Sequence, residues 1–144
     1  HVTGVQTCAL PIWPVLAVKA QVASVRDLAA GEGVSYGLRY TTADPTRIVT
    51  VPIGYADGVP RGLAARGGEV LVRGRRRAIA GTVTMDQLMV DVGSDPVEPG
   101  EEVVLIGRQG DEEIGVAEWA ERMGTIPNEI VCGIGPRVPR RFTG

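Results

Sequence analysis

Arg47-Ile48-Val49-Thr50-Val51-Pro52-Ile53 is an apolar run that reads as a strand buried on both faces or nearly so. It leads directly into a loop, Gly54 to Gly62, that opens with Gly54-Tyr55-Ala56-Asp57-Gly58. On its other side stands Ser35-Tyr36-Gly37, inside a strand-like run from Val34 to Thr41 that Asp44-Pro45 ends. Two of the three tyrosines therefore flank one buried strand. The single histidine is residue 1, so tyrosine is the leading candidate for proton chemistry.

Outward from this run the strand pattern continues. Val15 to Val25 alternates, with Val18, Ala20 and Val22 on one side and Lys19 and Gln21 on the other. Glu69–Val72 and Ala78–Val83 read as short strands around Arg73-Gly74-Arg75-Arg76-Arg77, which reads as a solvated hairpin turn. Leu88–Val92 and Glu101–Ile106 follow, and Gln109-Gly110-Asp111 suits a hairpin. The one helix signal is Val116–Met123, where Val116, Trp119, Ala120 and Met123 share a face and Gly124 offers a C-cap. Ile130–Ile134 and Val138–Phe142 are expected to close the domain as strands. The pattern predicts a mostly β fold: an antiparallel-rich, β-barrel-like domain with one short helix.

Composition agrees with this. The 144 residues suit one domain, and 20 glycines and 10 prolines favour short strands and tight turns over long helices. A net charge of −2 gives no general attraction to nucleic acid, and no apolar stretch reaches the roughly 18 residues of a membrane span.

Residues 1–12, HVTGVQTCALPI, read differently. From Val2 to Ile12 they resemble translated sequencing adapter, with no hydrophobic period and no basic region before the apolar piece. They are expected to be disordered and separate from a domain over 13–144. Without them Cys132 is the one thiol and no imidazole remains. That removes Cys/His metal sites, His-activated nucleophiles and a disulfide framework, and a lone cysteine fits a reducing, cytoplasmic setting.

In order and spacing, Ser35-Tyr36-Gly37, Gly54-Tyr55-Ala56-Asp57-Gly58, Ala80-Gly81-Thr82-Val83-Thr84-Met85-Asp86-Gln87 and Arg137-Val138-Pro139-Arg140 resemble the C-terminal domain of alanine racemase. That family uses pyridoxal 5′-phosphate (PLP), which acidifies the amino acid's Cα proton as an electron sink. The resemblance implies two bases on opposite faces of the substrate, a lysine in a preceding barrel and a tyrosine that matches Tyr36. A phenol with an ordinary pKa near 10 needs cations or donors around it to serve near neutrality.

By the same resemblance Tyr55 lines the substrate entrance, and Met85 offers its backbone N–H to the substrate carboxylate. Asp86 orients its neighbours, Arg61 lies along the entrance corridor, and Asn128 stands beside cofactor and substrate. Each has a plainer alternative: a strand tyrosine, a good Asp-Gly turn, a buried methionine, a solvated loop charge. The family commonly has tyrosine where Asn128 stands, arginine at Thr82 and cysteine at Thr84. An amide in place of a phenol enlarges the pocket, so serine joins L- and D-alanine as a candidate substrate. Lys19, the only lysine, matches a strand position and is expected to face solvent, so it is not the PLP lysine.

The implied whole is a cytoplasmic isomerase that supplies D-alanine for peptidoglycan. It would act as a head-to-tail homodimer in which this domain completes the partner's active site. No metal, nucleic acid or membrane is expected as a partner. Alone, the chain would lack the barrel and be inactive. Two other readings stand beside this one: a PLP decarboxylase domain of the same architecture, and a non-catalytic β interaction module.

Overall fold

A computed structural model describes residues 16–34 and 40–142. The strands are β1 (Val18–Gln21), β2 (Ser24–Leu28), β3 (Gly33–Val34), β4 (Tyr40–Thr41), β5 (Thr46–Val51), β6 (Glu69–Val72), β7 (Arg75–Ala80), β8 (Leu88–Gly93), β9 (Glu102–Gln109) and β10 (Glu112–Ile114). Two helices follow, α1 (Val116–Met123) and α2 (Pro127–Cys132). Eight strands form one sheet in the order β1-β9-β6-β7-β8-β5-β2, with β10 paired to β9, and β3 pairs with β4 separately. Every pairing is antiparallel. The architecture is mostly β, as expected, but the sheet is not closed. Its outer strands β1 and β2 are consecutive in the chain and do not pair with each other.

The Val15–Val25 run is two strands, not one. Val22 donates its N–H to the Glu101 carbonyl and Ala23 donates to that of Thr50, so within two residues the chain leaves β9 and joins β5. The buried Val22 marks the crossing. The strand predicted from Val34 to Thr41 is also two strands, since Val34 pairs antiparallel with Tyr40. Tyr36, and residues 1–12, lie outside the described residues.

The decisive run behaves as read. In β5, Ile48, Val49 and Val51 are buried, with β2 on one side and β8 on the other. The core continues through Val70, Leu71 and Val72 of β6, Val90 of β8 and Val103–Ile106 of β9. α1 forms where its period predicts, and Gly124 caps it at φ 68°. Trp119 is buried in the core and Met123 packs against it.

Two expectations at the C-terminal end are corrected. Ile130–Ile134 does not form a strand; Pro127 starts α2 at its first turn, where a fixed φ and a missing N–H cost nothing. Ile130 is buried in the main core and α2 packs on α1, so tertiary contact outweighs the β preference of Ile130-Val131. The described residues thus hold two α-helices. Val138–Phe142 is not a strand either. Pro139 has no N–H to give a ladder, and the Arg140 guanidinium donates to the carbonyls of Ile134, Gly135 and Val138.

The arginine run is only in part a turn. Arg73 and Gly74, at φ 54° and 73°, make the two-residue turn, a conformation that matches strand twist. Arg76 lies in β7 and bonds to Glu69, Glu112 and Glu118, while Arg77 bonds to Asp95.

Candidate active site

β5 delivers the chain into a tight turn. Tyr55–Asp57 form a single 3₁₀ turn, closed at Gly58 with φ 114°. The Asp57 carboxylate reaches back to accept the Gly54 N–H at 3.0 Å, which fixes the turn from inside. A second turn, Thr84–Gln87, precedes β8. Thr84 accepts the Gln87 N–H on its hydroxyl oxygen and donates its own N–H to the Gln87 carbonyl.

The two turns are stitched together. Tyr55 N–H donates to the Thr84 carbonyl at 2.9 Å, and Ala56 N–H donates to the Met85 carbonyl at 3.1 Å. Gly54 makes this approach achievable: a Cβ on it would lie 2.1 Å from the Thr84 carbonyl oxygen. Tyr55 and Met85, residues 30 positions apart, therefore stand side by side. Both are exposed, at 42% and 51%. Met85 is not the buried core methionine of the plainer alternative. Its N–H donates to none of the described residues.

Arg137 spans the same two turns. Its Nε donates to Asp57 Oδ1 at 2.9 Å, and its Nη2 donates to Asp86 Oδ1 at 2.8 Å. The hydrogen bonds to Asp86 and Asp57 hold its guanidinium above its ordinary pKa. Asp86 thus accepts from the same guanidinium as Asp57. Arg61 and Asn128 are both exposed and neither hydrogen-bonds to this cluster. Asn128 sits in the first turn of α2. Lys19 lies 3.6 Å from Glu102 on β1, half exposed.

The sequence profile described as "Alanine racemase, C-terminal domain" matches residues 15–142. An alanine racemase of Symbiobacterium thermophilum is 51% identical, over 99% of this chain and 40% of that protein. One from Halothermothrix orenii is 49% identical, over 90% and 34% respectively. The crystal structure of alanine racemase from Bacillus anthracis with bound L-Ala-P superposes with a TM-score of 0.89 at 44% identity, over 98% of this chain and 38% of that one. The chain belongs to the alanine racemase C-terminal domain family. It spans 40% or less of the length of these relatives.

Sequence reasoning passed over the third tyrosine of this family member. Tyr40 donates its hydroxyl to Asp91 Oδ2 at 2.7 Å, and Asp91 also accepts from Thr46 and from the Gly93 N–H. The bond ties β4 to the main sheet across β5 and β8. Burial and the bond to Asp91 push the phenol up to about 12. Burial raises the Asp91 carboxyl, but the bonds from Thr46, Tyr40 and Gly93 outweigh it and hold the carboxyl below its usual value.

The phenol's folded pKa lies above its unfolded one. Its contribution is therefore complete below about pH 10 and lost as pH rises through about 12. The depressed Asp91 adds stability above the ordinary carboxylate range that is lost in acid. Tyr40→Phe is expected to cost about 1 kcal/mol at pH 7, the net worth of one such bond. It should also flatten the loss of stability on the alkaline side. Urea unfolding of both proteins at pH 7 and pH 11 checks this; an unchanged midpoint at pH 7 contradicts it.

Proposed function

We propose that this chain is the C-terminal part of an enzyme that interconverts L- and D-alanine, with Tyr36 as the acid–base phenol on one face of the substrate. The observation that carries the reading is the Tyr55–Met85 juxtaposition, an exposed tyrosine next to a backbone N–H that donates to none of the described residues. A backbone N–H at a fixed turn is a good donor to a carboxylate and needs no particular side chain above it. Family membership supplies the activity the relatives are named for.

The division of labour follows from residue type. Met85 N–H holds the substrate carboxylate, Tyr55 bounds the entrance, and Arg61 adds positive charge along the approach. Tyr36 takes the Cα proton of L-alanine and returns one to form it. The described residues do not form a site for PLP. The chain's only lysine is on a surface strand beside Glu102, and the segment is short of a phosphate-binding loop. PLP would be held by the part of the protein outside this chain, with Asn128 turned toward it. In a head-to-tail homodimer, Tyr36, Tyr55 and Met85 complete the partner subunit's site. D-alanine for peptidoglycan, made in the cytoplasm, is the corresponding role.

Asn128 favours a second substrate, serine. A shorter amide leaves room for the β-hydroxyl and can donate to it or accept from it. One such pocket difference changes selectivity by about 1–3 kcal/mol. The full-length protein should racemise alanine, with some activity on serine. Asn128→Tyr should lower the ratio of kcat/KM for L-serine to that for L-alanine. No racemisation of alanine by the full-length protein would refute the main reading, and an unchanged ratio would remove serine.

A further inference from the structure

Arg137-Val138-Pro139-Arg140 closes the series of motifs, yet the proposed chemistry gives it nothing to do. The structure shows how the segment is built. Gly135 N–H donates to the Asp57 carbonyl at 3.0 Å, and Val138 N–H donates to the Gly135 carbonyl at 3.2 Å. Arg140 donates to three carbonyls of the same stretch, which fixes the backbone around Arg137. Gly58 admits this segment, since a Cβ there would lie 2.6 Å from the Gly133 carbonyl oxygen. Arg137 is thus presented from a braced loop, not from a free tail.

Its two partners differ in a telling way. The Asp57 side chain is 7% exposed and inside the turn that carries Tyr55; that of Asp86 is 66% exposed and next to Met85. One planar guanidinium engages both, with a third contact from Nη2 to Asp57 Oδ2 at 3.3 Å. Two backbone bonds, to the Thr84 and Met85 carbonyls, join the turns directly. The arginine adds a fixed span on a different line, from beneath Tyr55 to the residue after Met85.

We propose that Arg137 is a positioning residue that sets the separation between the Tyr55 turn and the Met85 N–H, and so the fit of the substrate's carboxylate. The inference rests on the reading of Tyr55 and Met85 given above. Arg137 touches no substrate in this scheme. It acts through Asp57 on one turn and through Asp86 on the other.

The test uses the full-length protein and two readouts. The first is amide hydrogen exchange of residues 54–58 relative to β5 and β8. Arg137→Gln should speed exchange at the Tyr55 and Ala56 amides by about tenfold, the worth of one charged hydrogen bond, with the sheet unchanged. Arg137→Gln also strands the buried Asp57 carboxylate and risks the fold. Asp86→Asn removes only the exposed end of the span and should give the same local change at smaller size. If neither variant alters these amides, or if the whole sheet speeds up equally, Arg137 is a general structural group and the proposal is wrong.

The second readout is racemisation of alanine. Asp86→Asn and Arg137→Lys should raise KM by about three- to tenfold while kcat stays within about twofold, because carboxylate binding is loosened and the proton-transfer groups are untouched. An equal fall in kcat with KM unchanged contradicts positioning of the carboxylate. If the substitutions give the local exchange change but the wild-type protein does not racemise alanine, the functional reading is overturned and the span itself stands.

Discussion

Gly54→Ala is expected to destabilise the domain by about 3 kcal/mol, the upper end of what overpacking usually costs. Gly54 has φ −147°, which alanine adopts freely, so the effect does not come from backbone conformation. It comes from contact. The added methyl would lie 2.1 Å from the Thr84 carbonyl oxygen and 2.5 Å from that of Met85, and both are backbone atoms with no rotamer to change. Relief requires the two turns to separate. That lengthens the bonds from Tyr55 N–H and Ala56 N–H and pulls Asp57 from the Gly54 N–H. For a domain of this size the loss corresponds to a fall in Tm of about 10 °C. Thermal unfolding followed by circular dichroism reads it directly. A variant within about 0.5 kcal/mol of wild type would mean that the turns are not held at this distance.

What could be read in the sequence was what local pattern determines. The β5 run announces itself because Ile48, Val49 and Val51 leave no polar face, and α1 because its apolar spacing and Gly124 agree. The break between β1 and β2 could not be read, since it is set by acceptors on Glu101 and Thr50, far away in the chain. α2 was hidden because Ile130-Val131 prefers a strand locally and becomes helical only against α1. The arginine run hid a partner set in the same way: Arg76 meets glutamates from β6, β10 and α1.

The site divides along the same line. Resemblance singled out Tyr55, Met85 and Asp86, but only the fold shows that they adjoin. Asp57 looked like a turn residue, and nothing in residue order joins it to Arg137, 80 positions on. Tyr40 had a readable signal that was passed over: it is a third tyrosine in a chain with few polar aromatics. Arg61 and Asn128 rest on the resemblance alone. Motif position selected them, and the described residues give neither a hydrogen-bonded place in the cluster.

Tyr36→Phe should have the largest functional effect. In the reconstructed full-length enzyme it removes one hydroxyl and leaves the ring. Its cost should therefore fall on proton transfer and spare folding. Loss of a general base typically lowers rate by about 10²–10⁴. The loss should be directional. In the proposed reading the phenol takes the Cα proton of L-alanine, whereas the base expected from outside this chain serves the D-enantiomer. Net racemisation needs both faces and falls in either direction, so steady-state turnover does not distinguish the two bases.

Exchange of the Cα hydrogen for deuterium in heavy water, followed separately from each enantiomer, does distinguish them. The account predicts that Tyr36→Phe abolishes exchange from L-alanine by at least about 10²-fold while exchange from D-alanine persists. Exchange from L-alanine at the wild-type rate would contradict it, because the proton would then leave by way of some other group than Tyr36.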